Sequence, residues 1–410
     1  MKLLVLSQYF WPESFRINEV ARSLREKGVE VGVLTGKPNY PGGSVFPGYK
    51  AAGYMHETHQ GMDIHRVPLF PRGRGRVRLA INYLSFIASG LLCAPWRLRG
   101  KHFDAVFVYA PSPILQAIPA IIIGKIKRCP VVLWVQDLWP ESLSATGHVR
   151  NRVLLKTLEW VVRGIYRQCD MLLVQSRAFE APVRALAGRT PVLYYPNSVG
   201  DEFSQPAGKA PPAVEGMDEG FSVMFAGNIG SAQAVETILE AAAILREQPD
   251  IHFVVLGEGS RRAWMRAEAE RMALVNLHLP GNFPVETMPA LMQKASVLLV
   301  TLADHPIFRL TIPSKINAYM AAGRPIIACL NGAGAEIVKD ANAGVTVPAE
   351  DASALAQAVK GLYAMQTHER LEMGARGRKY YEEHFSHEKL VDELIVHLDQ
   401  VVRLHQRKTV

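Results

Sequence analysis

An amide and an acid stand together at the end of an apolar run. "PVVLWV" leads into Gln136 and Asp137, and the stretch "WVQDLWPES" holds the pair between two tryptophans and a proline. A carboxylate at the carboxyl end of a buried strand is costly unless something uses it or pairs with it. In that position it can take a proton from a substrate hydroxyl or support positive charge on a reacting centre, while the amide orients hydroxyls. Glu13 and Glu141, each in a Trp-Pro-Glu sequence, are further candidates. The alternatives are structural: Asp137 capping the following turn, and Glu13 paired with an arginine.

The second half carries turns of a different chemistry. "FAGNIGSAQ", with Gly227, Asn228, Gly230 and Gln233, and "VVLGEGSRR", with Gly257, each place glycines after a strand and before a helix, so that backbone can approach a ligand closely. Neither is a dinucleotide fingerprint or a phosphate loop ending in Lys-Ser or Lys-Thr, and each would serve equally as a tight turn. "RLTIPSKINAYMAAGRPIIA" is more specific. Pro313 suits the first turn of a helix that ends at Gly323, and free amides at its start, with Ser314, Lys315 and Arg309 nearby, would hold a diphosphate. The bland reading is a capped helix with a surface lysine.

The elements that must position these residues alternate almost throughout. "KLLVLSQ", "VEVGVLTG", "FDAVFVYA", "PVVLWVQD", "DMLLVQS" and "TPVLYYPN" are strand-like, with helical patterns between them. Continuous rather than alternating hydrophobicity predicts strands covered on both faces, hence parallel sheets. After a Pro- and Gly-rich stretch the pattern restarts at "FSVMFAGN". The expectation is an α/β chain of two tandem doubly wound, Rossmann-like domains facing a cleft. Residues 1–200 form the first domain, 201–220 a linker, 221–385 the second domain, and 386–410 a helix returning to the first. Ligands of such sheets sit at the carboxyl ends of the strands.

Length and composition agree with two cores, since 410 residues exceed one typical domain. Cys93, Cys129, Cys169 and Cys329 stand singly, without metal-ligand spacing, which argues against a disulfide framework and leaves no metal site expected. The opening "MKLLVLSQYFWPE" reads as a first strand rather than a signal peptide, so the expected location is cytoplasmic.

The net charge of +8 is unevenly divided. Residues 1–200 carry 26 Lys and Arg against 12 Asp and Glu, and residues 201–410 carry 20 against 26. No acid occurs from Ile64 to Phe103, where Arg72, Arg74, Arg76 and Arg78 precede an uncharged stretch followed by Arg97, Arg99 and Lys101. The stretch is just long enough to span a bilayer, but Asn82, two serines, a glycine and a proline, with equally basic flanks, argue for a helix lying in the inner face of the cytoplasmic membrane. The alternative is a buried helix with solvated arginines. Nucleic-acid binding is disfavoured, because the basic cluster surrounds an apolar helix rather than interleaved aromatics.

The order of these pieces, from "YFWPESFRINEVARSLREKG" through "MFAGNIG", "VVLGEG", "LPGNFP" and "PSKINAYMAAGRPIIA" to "GAGAEIV", resembles glycosyltransferase family 4, with its two-domain GT-B fold. "SQYFWPES", "VQDLWPES" and the Pro-Ser-Lys segment look most like a bacterial surface-polysaccharide branch that includes WbuB-like N-acetyl-L-fucosamine transferases and colanic-acid fucosyltransferases. The resemblance implies a metal-independent transfer, with no cofactor, from a UDP or GDP sugar to a saccharide on undecaprenyl diphosphate, with retention. It puts the Gly227–Gly230 loop and the Ser314–Lys315 helix start at the donor diphosphate. Gly281 to Phe283 would lie near the base, and Glu336 on the donor side. Departures accompany it. The family's diphosphate Arg and Lys are matched by Asn228 and Gln233, its paired glutamates by Leu310 and Ala318, and its first-domain histidine by Gln136. A nucleotide-sugar 2-epimerase of the same fold, or a non-catalytic partner in a polysaccharide assembly complex, are the rival expectations.

Overall fold

The computed structural model describes the chain apart from residues 74, 146–150, 201–202, 204–211, 219 and 410, so most of the expected linker and Arg74 lie outside the described residues. Two compact units emerge: Met1–Pro196 together with Glu388–Val410, and Asn197–His387.

The first unit is an eight-stranded sheet. Its strands are β1 (Lys2–Leu6), β2 (Glu30–Thr35), β3 (Met55–His59), β4 (Met62–Arg66), β5 (Ala105–Ala110), β6 (Val131–Val135), β7 (Met171–Val174) and β8 (Val192–Tyr194), in the order β3-β4-β2-β1-β5-β6-β7-β8. Every pairing is parallel except the β3–β4 hairpin, whose outer strand is the polar "MHETH". Every residue of β5 and β6 is buried, as continuous apolar runs require of central strands.

Helix Arg16–Glu26 and the C-terminal helix His387–Thr409 share one core with the sheet. Ile17, Val20 and Leu24 join Leu390, Val391, Leu394 and Leu398 over Trp134 and Tyr195. The Tyr195 hydroxyl donates to the Leu390 carbonyl at 3.0 Å, fixing the returning helix to the end of β8. Helices Arg76–Arg97, Ala117–Lys127 and Arg152–Gln168 follow strands that step the other way along the sheet, so right-handed crossovers put them on its opposite face. Gly90 lets the first of them close on the second, since a Cβ there would stand 3.0 Å from Pro119.

The second unit is a six-stranded parallel sheet. Its strands are β9 (Phe221–Ala226), β10 (Ile251–Leu256), β11 (Leu277–Gly281), β12 (Val297–Thr301), β13 (Ile326–Cys329) and β14 (Gly344–Val347), in the order β11-β10-β9-β12-β13-β14. Both units are therefore Rossmann-like, and all four cysteines are unpaired.

The C-terminal helix is an integral layer of the first unit's core. Leu394→Ala, at a fully buried position, should destabilise that unit by about 2–5 kcal/mol. Val396→Ala, two residues on and largely exposed, should change stability by less than about 0.5 kcal/mol. Equal effects of the two in denaturant unfolding would contradict this packing.

Candidate functional site

In the second unit, three glycine turns leave β9, β10 and β11 at their carboxyl ends and are bonded to one another. Gly227 N–H donates to Leu256 O at 2.8 Å, Ile229 N–H to Glu258 O at 2.8 Å, and Gly257 N–H to Gly281 O at 3.0 Å. The approach is so close that a Cβ on Gly257 would lie 1.9 Å from the Gly227 carbonyl oxygen, at a φ of +142° that only glycine adopts freely. These turns border a cavity of about 450 Å³, with Ala226, Gly227, Asn228, Gly257 and Glu258 on one side and Phe283, Val285, Met288 and Met292 forming an apolar wall. The three apolar residues after Phe283 carry no motif, and nothing in the sequence marks them as lining.

Lys315 lies beneath the first of these turns. It enters from the first turn of helix Ser314–Ala322, which has no side-chain cap, and its Nζ lies 3.4 Å from the centroid of the Phe225 ring. Gly227 makes the room, because a Cβ there would stand 2.7 Å from Lys315 Cε. The ammonium is buried without a hydrogen-bond partner, and desolvation pulls its pKa down to about 7. Cation–π contact with Phe225 compensates only in part. An uncapped helix start beside an unsatisfied cation is a ready site for an anion.

The other donor-side residues divide. Asn228 donates its amide to Gln233 Oε1 at 3.0 Å, so this pair closes on itself. Arg309, expected beside the diphosphate, is held in a two-pronged pair with Asp304 at 2.8 Å for each bond, an exposed ion pair that corrects its reading as an available cation. Ser314 is exposed at its helix start, and Glu336 is exposed in the first turn of helix Ala333–Asp340. Gly230 lies in the turn before Gln233, with Gln233 Oε1 2.9 Å from where its Cβ would be.

In the first unit, polar side chains gather at the carboxyl ends of β1, β2 and β6. Gln8 N–H donates to Gln116 Oε1 at 2.7 Å, and the Gln8 amide donates to Asn82 Oδ1 at 2.7 Å. Asn82 in turn donates to Phe70 O at 2.6 Å, and the Arg72 N–H donates to Asn39 Oδ1 at 3.0 Å. Five separated segments contribute, around residues 8, 39, 70–72, 82 and 116, so no spacing could have revealed this network. Glu13, almost fully buried, accepts the backbone N–H groups of Asn39 and Tyr40, both at 2.7 Å, with Oε1. Gln136 is buried and its carbonyl accepts from Gln175 at 3.2 Å. Asp137 stands two residues past the end of β6, and desolvation pushes its carboxyl up to about 7.

The basic residues around helix Arg76–Arg97 are more engaged than free solvation would give. Arg72 donates to the Tyr9 hydroxyl at 2.9 Å and lies over the Tyr40 ring, and Arg97 stacks on Tyr54 with its guanidinium carbon 4.3 Å from the centroid. Lys101 contacts Asp63 at 3.0 Å and His65 Nε2 at 3.0 Å. Arg78 and Arg99 are exposed, while the side chain of Arg76 is outside the described residues. Among the described residues one trio, His56, Asp63 and His65, brings ligand atoms within 4.8 Å of each other, but the Lys101 ammonium already supplies the cation there. The helix itself is long and apolar enough to cross a bilayer, and only 28% of its apolar window is buried.

Comparison with known proteins bears on the family and the fold. Residues 14–198 match the family described as glycosyl transferase 4-like domain, and residues 220–365 match glycosyl transferases group 1. WcaI of Escherichia coli, described as a colanic acid biosynthesis glycosyl transferase, is 24% identical over 338 residues, covering 79% of this chain and 82% of its own. The glycosyltransferase WbjE of Pseudomonas aeruginosa is 28% identical, covering 71% of this chain and 74% of its own. Among solved structures, sucrose-phosphate synthase from Thermosynechococcus elongatus superposes with a TM-score of 0.74 at 16% identity, over 98% of this chain and 99% of that one. HepE of Anabaena, solved with UDP, superposes with a TM-score of 0.70 at 13% identity, over 98% and 100%. The chain carries, one in each unit, the paired domains of the group 1, family 4-like glycosyltransferases.

Proposed function

We propose that the protein moves a sugar, N-acetyl-L-fucosamine or another 6-deoxy-hexose, from a UDP- or GDP-linked donor to a saccharide on undecaprenyl diphosphate. The reaction would belong to O-antigen, capsule or exopolysaccharide synthesis, without metal and with retention. The family and its colanic-acid relatives support a glycosyltransferase of polysaccharide biosynthesis. The observation that carries the donor side is the unpartnered Lys315 ammonium at an uncapped helix start, beside a cavity with an apolar wall. A nucleotide diphosphate matches it: phosphate oxygens supply the acceptors the ammonium lacks, and the base takes the wall of Phe283, Val285 and Met288. Lys315 would then stand in for the charges that Asn228 and Gln233 do not carry.

Asp137 is the proposed proton acceptor for the attacking hydroxyl, with Gln136 orienting it. A carboxyl titrating near neutrality is matched to that task, since it is ionised when free and takes the proton readily. Glu13 is a positioning residue in this account. Its carboxylate satisfies two backbone amides of the loop after β2, that of buried Asn39 and that of more exposed Tyr40, so it shapes the acceptor side rather than reacting. The exposed stripe of helix Arg76–Arg97, flanked by arginines, would hold the enzyme peripherally on the inner face of the cytoplasmic membrane, where a lipid-linked acceptor resides.

Transfer from UDP- and GDP-sugars to a lipid-linked acceptor tests the reading directly. Asp137→Asn should lower turnover by roughly 100-fold or more with an unchanged melting temperature, whereas near wild-type turnover would remove the assignment. The pH dependence follows from signs. The Asp137 base is active above its value of about 7, and the free Lys315 is cationic below its value of about 7, so kcat/KM for the donor should be bell-shaped around neutrality. Saturating donor, which favours the ammonium, should push the alkaline limb of kcat upward, and a coincident limb at low and high donor would contradict the role of Lys315. Glu13→Ala should cost about 1–3 kcal/mol for each stranded amide, while Glu13→Gln, which keeps an acceptor oxygen, should restore most of that stability and activity. An inactive but fully stable Glu13→Gln would instead make it a reacting group.

A further inference from the structure

The exposed stripe on helix Arg76–Arg97 has neighbours. That helix packs against Ala117–Lys127, which packs against Arg152–Gln168, and all three lie on the same face of the eight-stranded sheet. Side chains exposed on three helices laid side by side over one sheet must point away from it, to a common outer surface. Among them are Leu84, Leu92 and Trp96 on the first helix, the last 74% exposed, Ile126 on the second, and Trp160 on the third, also 74% exposed. Trp160 sits opposite the helix's buried residues Val162, Ile165 and Tyr166.

Charge selects what covers this surface. The three helices carry three, two and four basic residues in turn, and a single acid, Glu159, which is paired with Arg163 at 2.8 Å. A second copy of the chain docking through the same face would set two such positive surfaces against each other, which Coulomb repulsion opposes. An anionic bilayer meets both features: headgroups for the lysines and arginines, and a headgroup-level site for exposed tryptophans.

We infer that the membrane-facing surface is this whole three-helix face, with helix Arg152–Gln168 forming a second anchor line through Trp160 and Lys156. The inference rests on the reading that helix Arg76–Arg97 meets a membrane, and adds to it a mechanical consequence. A single helix lying in an interface can roll about its own axis. A second anchor line, two helix spacings or about 16–20 Å away, removes that freedom and fixes the tilt of the first unit on the bilayer. The carboxyl ends of its strands are then held at one height above the headgroups.

Co-sedimentation of the full chain with vesicles of equal parts phosphatidylglycerol and phosphatidylcholine, and with phosphatidylcholine alone, tests this. Trp160→Ser should weaken partitioning into the anionic vesicles roughly fivefold or more, comparably to Trp96→Ser, as expected for one aromatic side chain withdrawn from the interface. Lys156→Glu should weaken it on the anionic vesicles only. Melting temperature and the response to UDP should be unchanged in all three variants. Loss with Trp96→Ser but not with Trp160→Ser or Lys156→Glu would overturn the second anchor and leave the single-helix attachment standing. No loss with any variant would remove the membrane reading as well. A concentration-dependent dimer abolished by Trp160→Ser would show the face to be a self-interface and overturn the inference.

Discussion

A parallel sheet sheathed by helices on both faces can meet a ligand only at its strand ends, and that constraint organises both units. Each sheet is nearly all apolar inside, and the polar groups of the candidate sites gather beyond the carboxyl ends of β1, β2 and β6, or of β9 and β10. Two groups of the candidate sites are moved far from their values in water. Desolvation brings the carboxyl of Asp137 and the ammonium of Lys315 both to about 7, from opposite directions. Keeping a base and a cation both poised at neutrality is a costly arrangement for a protein that only needs to fold.

The two units meet this cost by different means. In the second, backbone does most of the work: glycines at 227 and 257 let two loops touch through their main chains, and the same absence of Cβ at 227 admits the Lys315 stem. In the first, side-chain amides and one glutamate satisfy the loops, through Gln8, Asn39, Asn82, Gln116 and Glu13. That division would fit the donor site proposed for the second unit and the acceptor surface proposed for the first, where hydrogen-bonding side chains can vary without disturbing the sheet.

Much of the fold was legible because it is written locally. Continuous apolar runs such as "VVLWV" and "FSVMFA" name central parallel strands, and a glycine directly after such a run names a close turn. The candidate site was legible only where a residue type is expensive for its position, as with Asp137 and the Pro-Ser-Lys helix start that the proposal rests on. What could not be read is pairing. Arg309 looks like a free cation until Asp304, five residues earlier, folds back on it. Glu13 looks like a catalytic acid until the loop after β2 brings its amides within 2.7 Å. Trp160 looks like an ordinary helix residue until the sheet order places its helix beside two others on one face.

The central claim is that Lys315 waits for a diphosphate. Calorimetric titration with UDP and GDP at about pH 8, in buffers of different ionisation enthalpy, tests it most directly, since a lysine largely neutral there must take up a proton when an anion binds. The account predicts proton uptake on binding one of the two nucleotides, and loss of both the uptake and most of the affinity in Lys315→Met. Binding with no proton uptake and undiminished affinity in Lys315→Met would contradict it.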